Sequence, residues 1–362
     1  MMLIIRNFFT YIPFAALVIV LFAFVRRCGF RVRAQAIWTM VLLLACSKFF
    51  CFRYLGGNAF CPEFPAALVL GWDFLYSGMI ILTLFSVLTY FWKGRAKAVA
   101  LPVLAWVLAA YGLYEGVKPP RVREIELAYP NLPAELDGYR IAQVSDIHCS
   151  CAARRWRTQV VVDLVNAQKP DLICLLGDNV DGYSYDRRDD IAPLAGLKAR
   201  DGVWAVTGNH EFYYDTFGWQ CVYEELGIRF LANECVFPHA RLALGGVNDF
   251  ASHKIKAPAP SVKTAFTAAT NGEFRVLMQH QPRMAQANLD GHHVDLQLSG
   301  HTHGGIIPLM YPIVRKSNRG FLRGVYDRDG RKVCISNGAG FWPGFPVRYF
   351  TPSEIVVITL RK

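Results

Sequence analysis

The chain has 362 residues, 53% of them hydrophobic, and a formal net charge of +11. That length accommodates one large domain with an appendage, or two modest domains. The charge is unevenly placed: residues 1–118 hold 11 Lys and Arg against 3 Asp and Glu, whereas residues 119–362 hold 28 against 25. The excess therefore flanks hydrophobic runs, where it sets membrane topology. The near-neutral remainder lacks the basic stripe of a nucleic-acid-binding surface, so no nucleic-acid partner is expected.

Four apolar runs occupy the first 118 residues. Phe8 to Val25 is uncharged and is followed by Arg26, Arg27, Arg31 and Arg33. Ala34 to Phe52 carries only Lys48, near its end, where the side chain can snorkel. Phe74 to Trp92 precedes Lys93, Arg95 and Lys97, and Ala98 to Tyr114 closes the set. Each run is close to the roughly 20 residues that a helix needs to cross the hydrocarbon. A cleaved signal peptide explains the first run but not four.

The expectation is a four-helix transmembrane region with spans at 8–25, 34–52, 74–92 and 98–114, making a multi-pass protein of the cytoplasmic membrane. Four spans place the basic clusters after runs one and three on one side. The positive-inside rule then puts residues 119–362 outside the cytoplasm, although Lys118, Arg121 and Arg123 oppose that orientation. Asp73 stands at the start of run three and is expected at the interface.

Pro119, Pro120, Pro130 and Pro133 make a stiff extended connection into a second domain, 119–362. There, short apolar runs end repeatedly in polar residues. Arg140 to Ser145 leads to Asp146-Ile-His148, and Asp171 to Leu176 leads to Gly177-Asp178-Asn179. Gly202 to Thr207 leads to Gly208-Asn209-His210-Glu211, and Phe274 to Gln279 leads to His280. Val294 to Ser299 leads to Gly300-His301-Thr-His303-Gly-Gly305. Such runs read as buried strands. With helical stretches at Trp156–Gln168 and Phe217–Leu226 between them, a layered α/β domain follows. In such sheets functional groups gather beyond the carboxyl ends of the strands.

Carboxylate, imidazole and amide oxygen together suit divalent Mn, Fe, Zn, Ni or Co. Two such cations, roughly 3.5–4 Å apart, can share a bridging carboxylate, hold a hydroxide and clamp phosphate oxygens. The Gly-His-Thr-His-Gly-Gly turn is the most specific fragment, because two histidines between glycines at a strand end have little structural use. Asp-x-His and Gly-Asp-Asn are weak alone and gain force from their order. The ten cysteines form no CxxC pair and no zinc-finger spacing. Most read as buried thiols, while Cys221 and Cys235 could pair in an oxidising compartment.

With these five motifs in order, residues 120–362 resemble the calcineurin-like metallophosphoesterases, and specifically a membrane-anchored subgroup. Ser336-Asn-Gly-Ala-Gly, Pro346-Val-Arg348 and Glu354 are also similar to the ending of that family. The resemblance implies a four-layer α-β-β-α sandwich with two divalent metal ions. It assigns Asp146, His148 and His303 to the first metal, Asp178 to the bridge, and Asn209, His280 and His301 to the second. His210 resembles the histidine that donates to phosphate or to the leaving group; Glu211 either orients it or is solvated. Ile306 departs from the Gln common after the last Gly-Gly, and the Cys149-Ser-Cys151 stretch is unusual.

These features lead to a phosphodiesterase or pyrophosphatase acting on a lipid-linked or envelope-associated phosphate, with membrane lipids as further partners. Aromatic stretches at 212–219 and 341–345 are either packing or an apolar lip for an acyl chain. A UDP-2,3-diacylglucosamine pyrophosphatase facing the cytoplasm is the rival enzyme. A non-catalytic membrane protein that binds metal is the rival outside enzymes.

Overall fold

A computed structural model describes residues 31–57, 61–89, 91, 95–270 and 272–362, with scattered positions between 19 and 28. The chain divides into two units, Met1–Glu115 with Pro343–Val347 and Gly116–Trp342 with Arg348–Lys362.

The first unit is helical. Its described helices are α1 (Val32–Tyr54), α2 (Ala66–Leu88) and α3 (Arg95–Val117). Leu42, Ala45, Met79, Leu82, Leu101 and Ala105 from these three helices share one apolar cluster with Leu21 and Phe24. Two segments are long and apolar enough to cross a membrane: Ala66–Leu88, with mean hydropathy 1.8, and Val99–Val117, with 1.4. Among the described residues two segments therefore meet that test, where four spans were expected. The helix α1 contains the run 34–52. The run 8–25 lies largely outside the described residues.

The third run also begins earlier than expected. Pro65 precedes the first turn of α2, a position where its missing N–H costs nothing, and Ala66 to Trp72 continue the apolar pattern. Asp73 consequently lies inside the helix, eight residues into it. It is buried and paired with Lys48 of α1, which is buried too and also donates to the Gly344 carbonyl at 2.8 Å. With a carboxylate in reach, the Lys48 ammonium is neutralised inside the unit.

The second unit holds two six-stranded sheets. In the first, β1 (Arg121–Ala128), β12 (Glu354–Arg361), β2 (Arg140–Val144), β3 (Leu172–Leu175), β4 (Val203–Ala205) and β5 (Arg229–Phe230) lie in that order. In the second, the order is β10 (Gly324–Arg328), β11 (Arg331–Ile335), β9 (Leu296–Ser299), β8 (Phe274–Met278), β7 (Leu242–Gly246) and β6 (Glu234–His239). The central neighbours β2, β3 and β4 run parallel, as do β7, β8, β9 and β11, so their carboxyl ends share one edge of each sheet.

Period-two alternation sends successive side chains to opposite faces. Ile141, Leu172, Cys174, Val356 and Ile358 of the first sheet meet Leu244, Val276, Met278, Leu296 and Leu298 of the second in a shared interior. Ala142, Val144, Ile173 and Leu175 turn outward onto α4 (Arg155–Ala167) through Val161, Val162 and Val165, and onto α6 (Thr216–Glu225) through Trp219, Val222 and Tyr223. Between these, α5 (Ser184–Ile191) adds Ile191. The second sheet is covered outside by Val262, Ala265, Phe266 and Ala285. Gln143 is a polar exception in the shared interior. Its amide donates to Ser299 O (2.8 Å) and Cys334 O (3.3 Å), joining the two sheets by hydrogen bonds.

The Lys48–Asp73 pair gives a test of the first unit. Removing one partner leaves a buried charge and is expected to cost about 3–5 kcal/mol. Asp73→Leu should lower the thermal midpoint of the purified protein in detergent, and the double change Lys48→Met with Asp73→Leu should recover most of the loss.

Candidate metal centre

The expected site residues all follow parallel strands, and the loops that carry them are stitched together by backbone hydrogen bonds. Asp146 N–H donates to Gly177 O (3.0 Å), His148 N–H to Asp178 O (3.1 Å) and Gly300 N–H to His280 O (3.0 Å). Glycines permit this approach: a Cβ on Gly208 would lie 2.2 Å from Asp178 Oδ1. Asp146, His148, Asp178, His301 and His303 all adopt left-handed φ, from 47° to 70°. Backbone strain of this kind in non-glycine residues gathers where a ligand geometry demands it.

Three groups of donor atoms result. Asp146, His148 and His303 form one, Asp178, His280 and His301 a second, and His148, Asp181 and His210 a third that shares His148 with the first. In the first, His148 Nε2 and His303 Nε2 face each other at 3.0 Å, and Asp146 Oδ1 is 3.6 Å from His303 Nε2. In the second, His301 Nδ1 and His280 Nε2 are 3.3 Å apart, and Asp178 Oδ2 is 3.1 Å from His280 Nε2. Two metal–nitrogen bonds of about 2.1 Å meeting near a right angle span about 3 Å, so these separations suit one cation in each of the first two groups. Asn209 adds a second sign: its Oδ1 is buried and has no hydrogen-bond partner among the described residues. An orphaned amide oxygen beside imidazole and carboxylate donors fits a divalent cation.

The remaining ring nitrogens set the tautomers. His280 Nδ1 donates to Leu176 O (2.7 Å) and His148 Nδ1 meets Asp181 (3.1 Å), leaving Nε2 of each ring free for a metal. The Arg348 guanidinium, itself buried, lies 3.0 Å from His303 Nδ1 and donates to Asn337 O and Gly340 O (2.9 Å each).

Asp181 is the residue that sequence reasoning missed. It is fully buried and bonded through Nδ1 to both His148 and His210. Its signal was present, three residues after Asp178 in Gly-Asp-Asn-Val-Asp, but nothing local distinguishes it from turn chemistry. Glu211, by contrast, neither orients His210 nor is solvated. Its carboxylate accepts from the backbone N–H of Gly208 (2.7 Å), Asp178 (3.0 Å) and Asn179 (2.9 Å), clamping the loops that follow β3 and β4. Cys149 and Cys151 are buried free thiols, and burial pushes the Cys149 thiol up, away from the reactive thiolate. Cys221 and Cys235 are free as well.

Burial opposes charge on every one of these groups, and their neighbours decide the outcome. Burial would raise Asp178, but His280, His210 and His148 hold its carboxyl well below the usual range. Burial and the Asp178 charge raise Asp146. Burial lowers His301 to about 3, helped by the charges of His280, His210 and Arg283. Burial, His148 and Arg348 also lower His303. His280 goes the other way: against burial, Asp178, Asp146 and Asp249 raise it to about 10.

A proton thus sits on His280 in the metal-free site at all pH values below about 10, and a cation must displace it. Binding of Mn2+ at pH 7 is expected to release about one proton and to tighten as pH rises. Calorimetry in buffers of different ionisation enthalpy measures the release, and His280→Asn should abolish it.

A model of the calcineurin-like phosphoesterase family matches residues 139–305, the stretch that carries these donor groups. An uncharacterized metallophosphoesterase of Campylobacter jejuni is 32% identical over 270 residues, covering 72% of this chain and 69% of that protein. A similar protein of Helicobacter pylori is 31% identical over 255 residues, covering 69% and 66%. A transmembrane protein with metallophosphoesterase domain from Danio rerio is 33% identical over 280 residues, covering 74% and 63%. The chain therefore spans about two thirds of the length of these relatives. With the strand-end motifs, the donor geometry and this similarity in one stretch, the chain belongs to the calcineurin-like metallophosphoesterase family.

Proposed function

We propose that this protein is a metal-dependent phosphoesterase that hydrolyses a phosphodiester or pyrophosphate bond. The observation that carries the reading is the pair of donor groups, each with facing imidazole nitrogens about 3 Å apart, beside the orphaned Asn209 oxygen. Asp146, His148 and His303 would hold one divalent cation and Asn209, His280 and His301 the other, with Asp178 between them. When bound, the two cations supply Lewis-acid charge and an activated water for in-line attack on phosphorus.

The chain's own residues supply the rest. Asp181 and the strained loop geometry hold His148 and His210 in fixed orientations, so the donors need little rearrangement on binding. Burial disfavours charge on His210, yet Asp178 and Asp181 raise it to about 9. His210 is consequently protonated at neutral pH. With Nδ1 held by Asp181, its Nε2–H is the donor for a phosphoryl oxygen or the departing oxygen. That contribution is complete well below pH 9 and is lost as pH rises through about 9.

A lipid-linked or envelope-associated phosphate is the substrate class we favour. Two membrane-length helices stand in the same chain, and Tyr213 (44% exposed) and Phe217 (69%) follow the Gly-Asn-His-Glu turn, beside the buried Phe212 and Trp219. An apolar lip would draw on the exposed members of that stretch; of the 341–345 stretch Phe341 is buried, while Trp342 and Phe345 are half-buried. The basic clusters favour a catalytic half outside the cytoplasm, which a reporter fused at the C-terminus would locate.

With Mn2+ the purified protein should hydrolyse bis(p-nitrophenyl) phosphate. Asp178→Ala should reduce turnover to background, and His210→Gln should lower kcat by about 10²-fold or more and remove the alkaline limb of the pH profile. Turnover that persists undiminished in Asp178→Ala would refute the site.

A further inference from the structure

Beside the second donor group stand two cations that the reading above does not use. Lys254 lies on the turn Phe250–Ile255, with its ammonium 3.6 Å from the ring centre of Tyr213. Arg283 lies on the turn Pro282–Met284, with its guanidinium 3.7 Å from the ring centre of Phe250. Among the described residues neither has a carboxylate partner, whereas the Arg188, Arg229 and Arg361 side chains are all ion-paired. Aromatic faces hold a cation in place without neutralising it.

The two turns are tied to each other and to the centre. Gln281, between His280 and the Arg283 turn, donates to Asp249 Oδ1 (2.9 Å), and the same carboxylate oxygen accepts from Ala251 N–H (2.8 Å) at the start of the Lys254 turn. The Tyr213 ring beneath Lys254 is 5.2 Å from the His210 ring. Arg283 stands three residues after His280, on the turn that Gln281 opens. Both cations therefore stand on turns tied to the loops that carry His210 and His280, Lys254 exposed and Arg283 half-buried, and neither is neutralised by a carboxylate among the described residues.

We propose that Lys254 and Arg283 form an anion subsite that takes the second phosphate of a pyrophosphate-linked substrate. This rests on the hydrolase reading and narrows its substrate class from phosphodiesters in general to P–O–P diesters. In the reaction, the oxygen of water bonds to one phosphorus and the bridging P–O bond breaks. Its electron pair stays on the oxygen of the second phosphate, and the protons of the water pass to solvent. The leaving group gains a negative charge next to the two cations, so they act on the transition state and on substrate binding together. A simple phosphodiester also leaves with charge on its departing oxygen but lacks the second phosphate and its standing charge, so it gains much less from them.

The test compares two substrates that differ by one phosphate, bis(p-nitrophenyl) phosphate and P1,P2-bis(p-nitrophenyl) pyrophosphate, with full-length protein in detergent and Mn2+. The double variant Lys254→Gln with Arg283→Gln should lower kcat/KM for the pyrophosphate tenfold or more. The phosphodiester value should stay within twofold and the thermal midpoint unchanged. The charge-preserving variant Lys254→Arg with Arg283→Lys should retain the preference. Parallel loss on both substrates, or no loss on either, overturns the subsite while leaving the hydrolase reading intact. A wild-type protein that hydrolyses neither substrate overturns both.

Discussion

Four carboxylates, those of Asp146, Asp178, Asp181 and Glu211, are buried together at the strand ends, and their compensation governs the rest of the second unit. Buried carboxylates are tolerated only when paired or hydrogen-bonded. Here backbone amides answer part of the charge: His301 N–H faces Asp146, His210 N–H faces Asp178, and three amides face Glu211. Imidazoles answer more, through His148 and His210 on Asp181 and His280 on Asp178. Carboxylates and imidazoles in such a set fit a divalent cation as a further partner.

That compensation cannot be assembled within one sheet. The first sheet supplies Asp146, His148, Asp178, Asn209 and His210, and the second supplies His280, His301 and His303. Packing of the two inner faces brings the strand ends level, and Gln143 adds hydrogen bonds across that interior directly below the loops. Positive φ at five of the donor residues is then held by surrounding structure that over-determines it, which is where backbone strain persists.

The helical unit solves a related problem by a simpler route. Lys48 and Asp73 neutralise one another among apolar side chains, and the Gly344 carbonyl takes a further ammonium hydrogen. The segment Pro343–Val347 that carries this carbonyl is numbered far from the helices yet belongs to their unit. Immediately after it, Arg348 returns to the second unit and reaches His303.

What the sequence by itself determined was whatever rests on local pattern. Apolar runs of strand length ending in Gly, Asp and His marked β2, β3, β4, β8 and β9. The order of those endings carried the family resemblance, and that resemblance named the expected donor residues. Tertiary structure decided the rest. Asp181 differs from an ordinary turn aspartate only through two histidines 33 and 29 residues away. Glu211 reads equally well as a solvated acid until its three amide donors are seen, and the pairing of Asp73 waits on Lys48 from another helix. The cations Lys254 and Arg283 look like ordinary surface charge until their aromatic partners are placed. In each case the deciding partner is distant in sequence, and a period of two or of 3.6 residues carries no record of it.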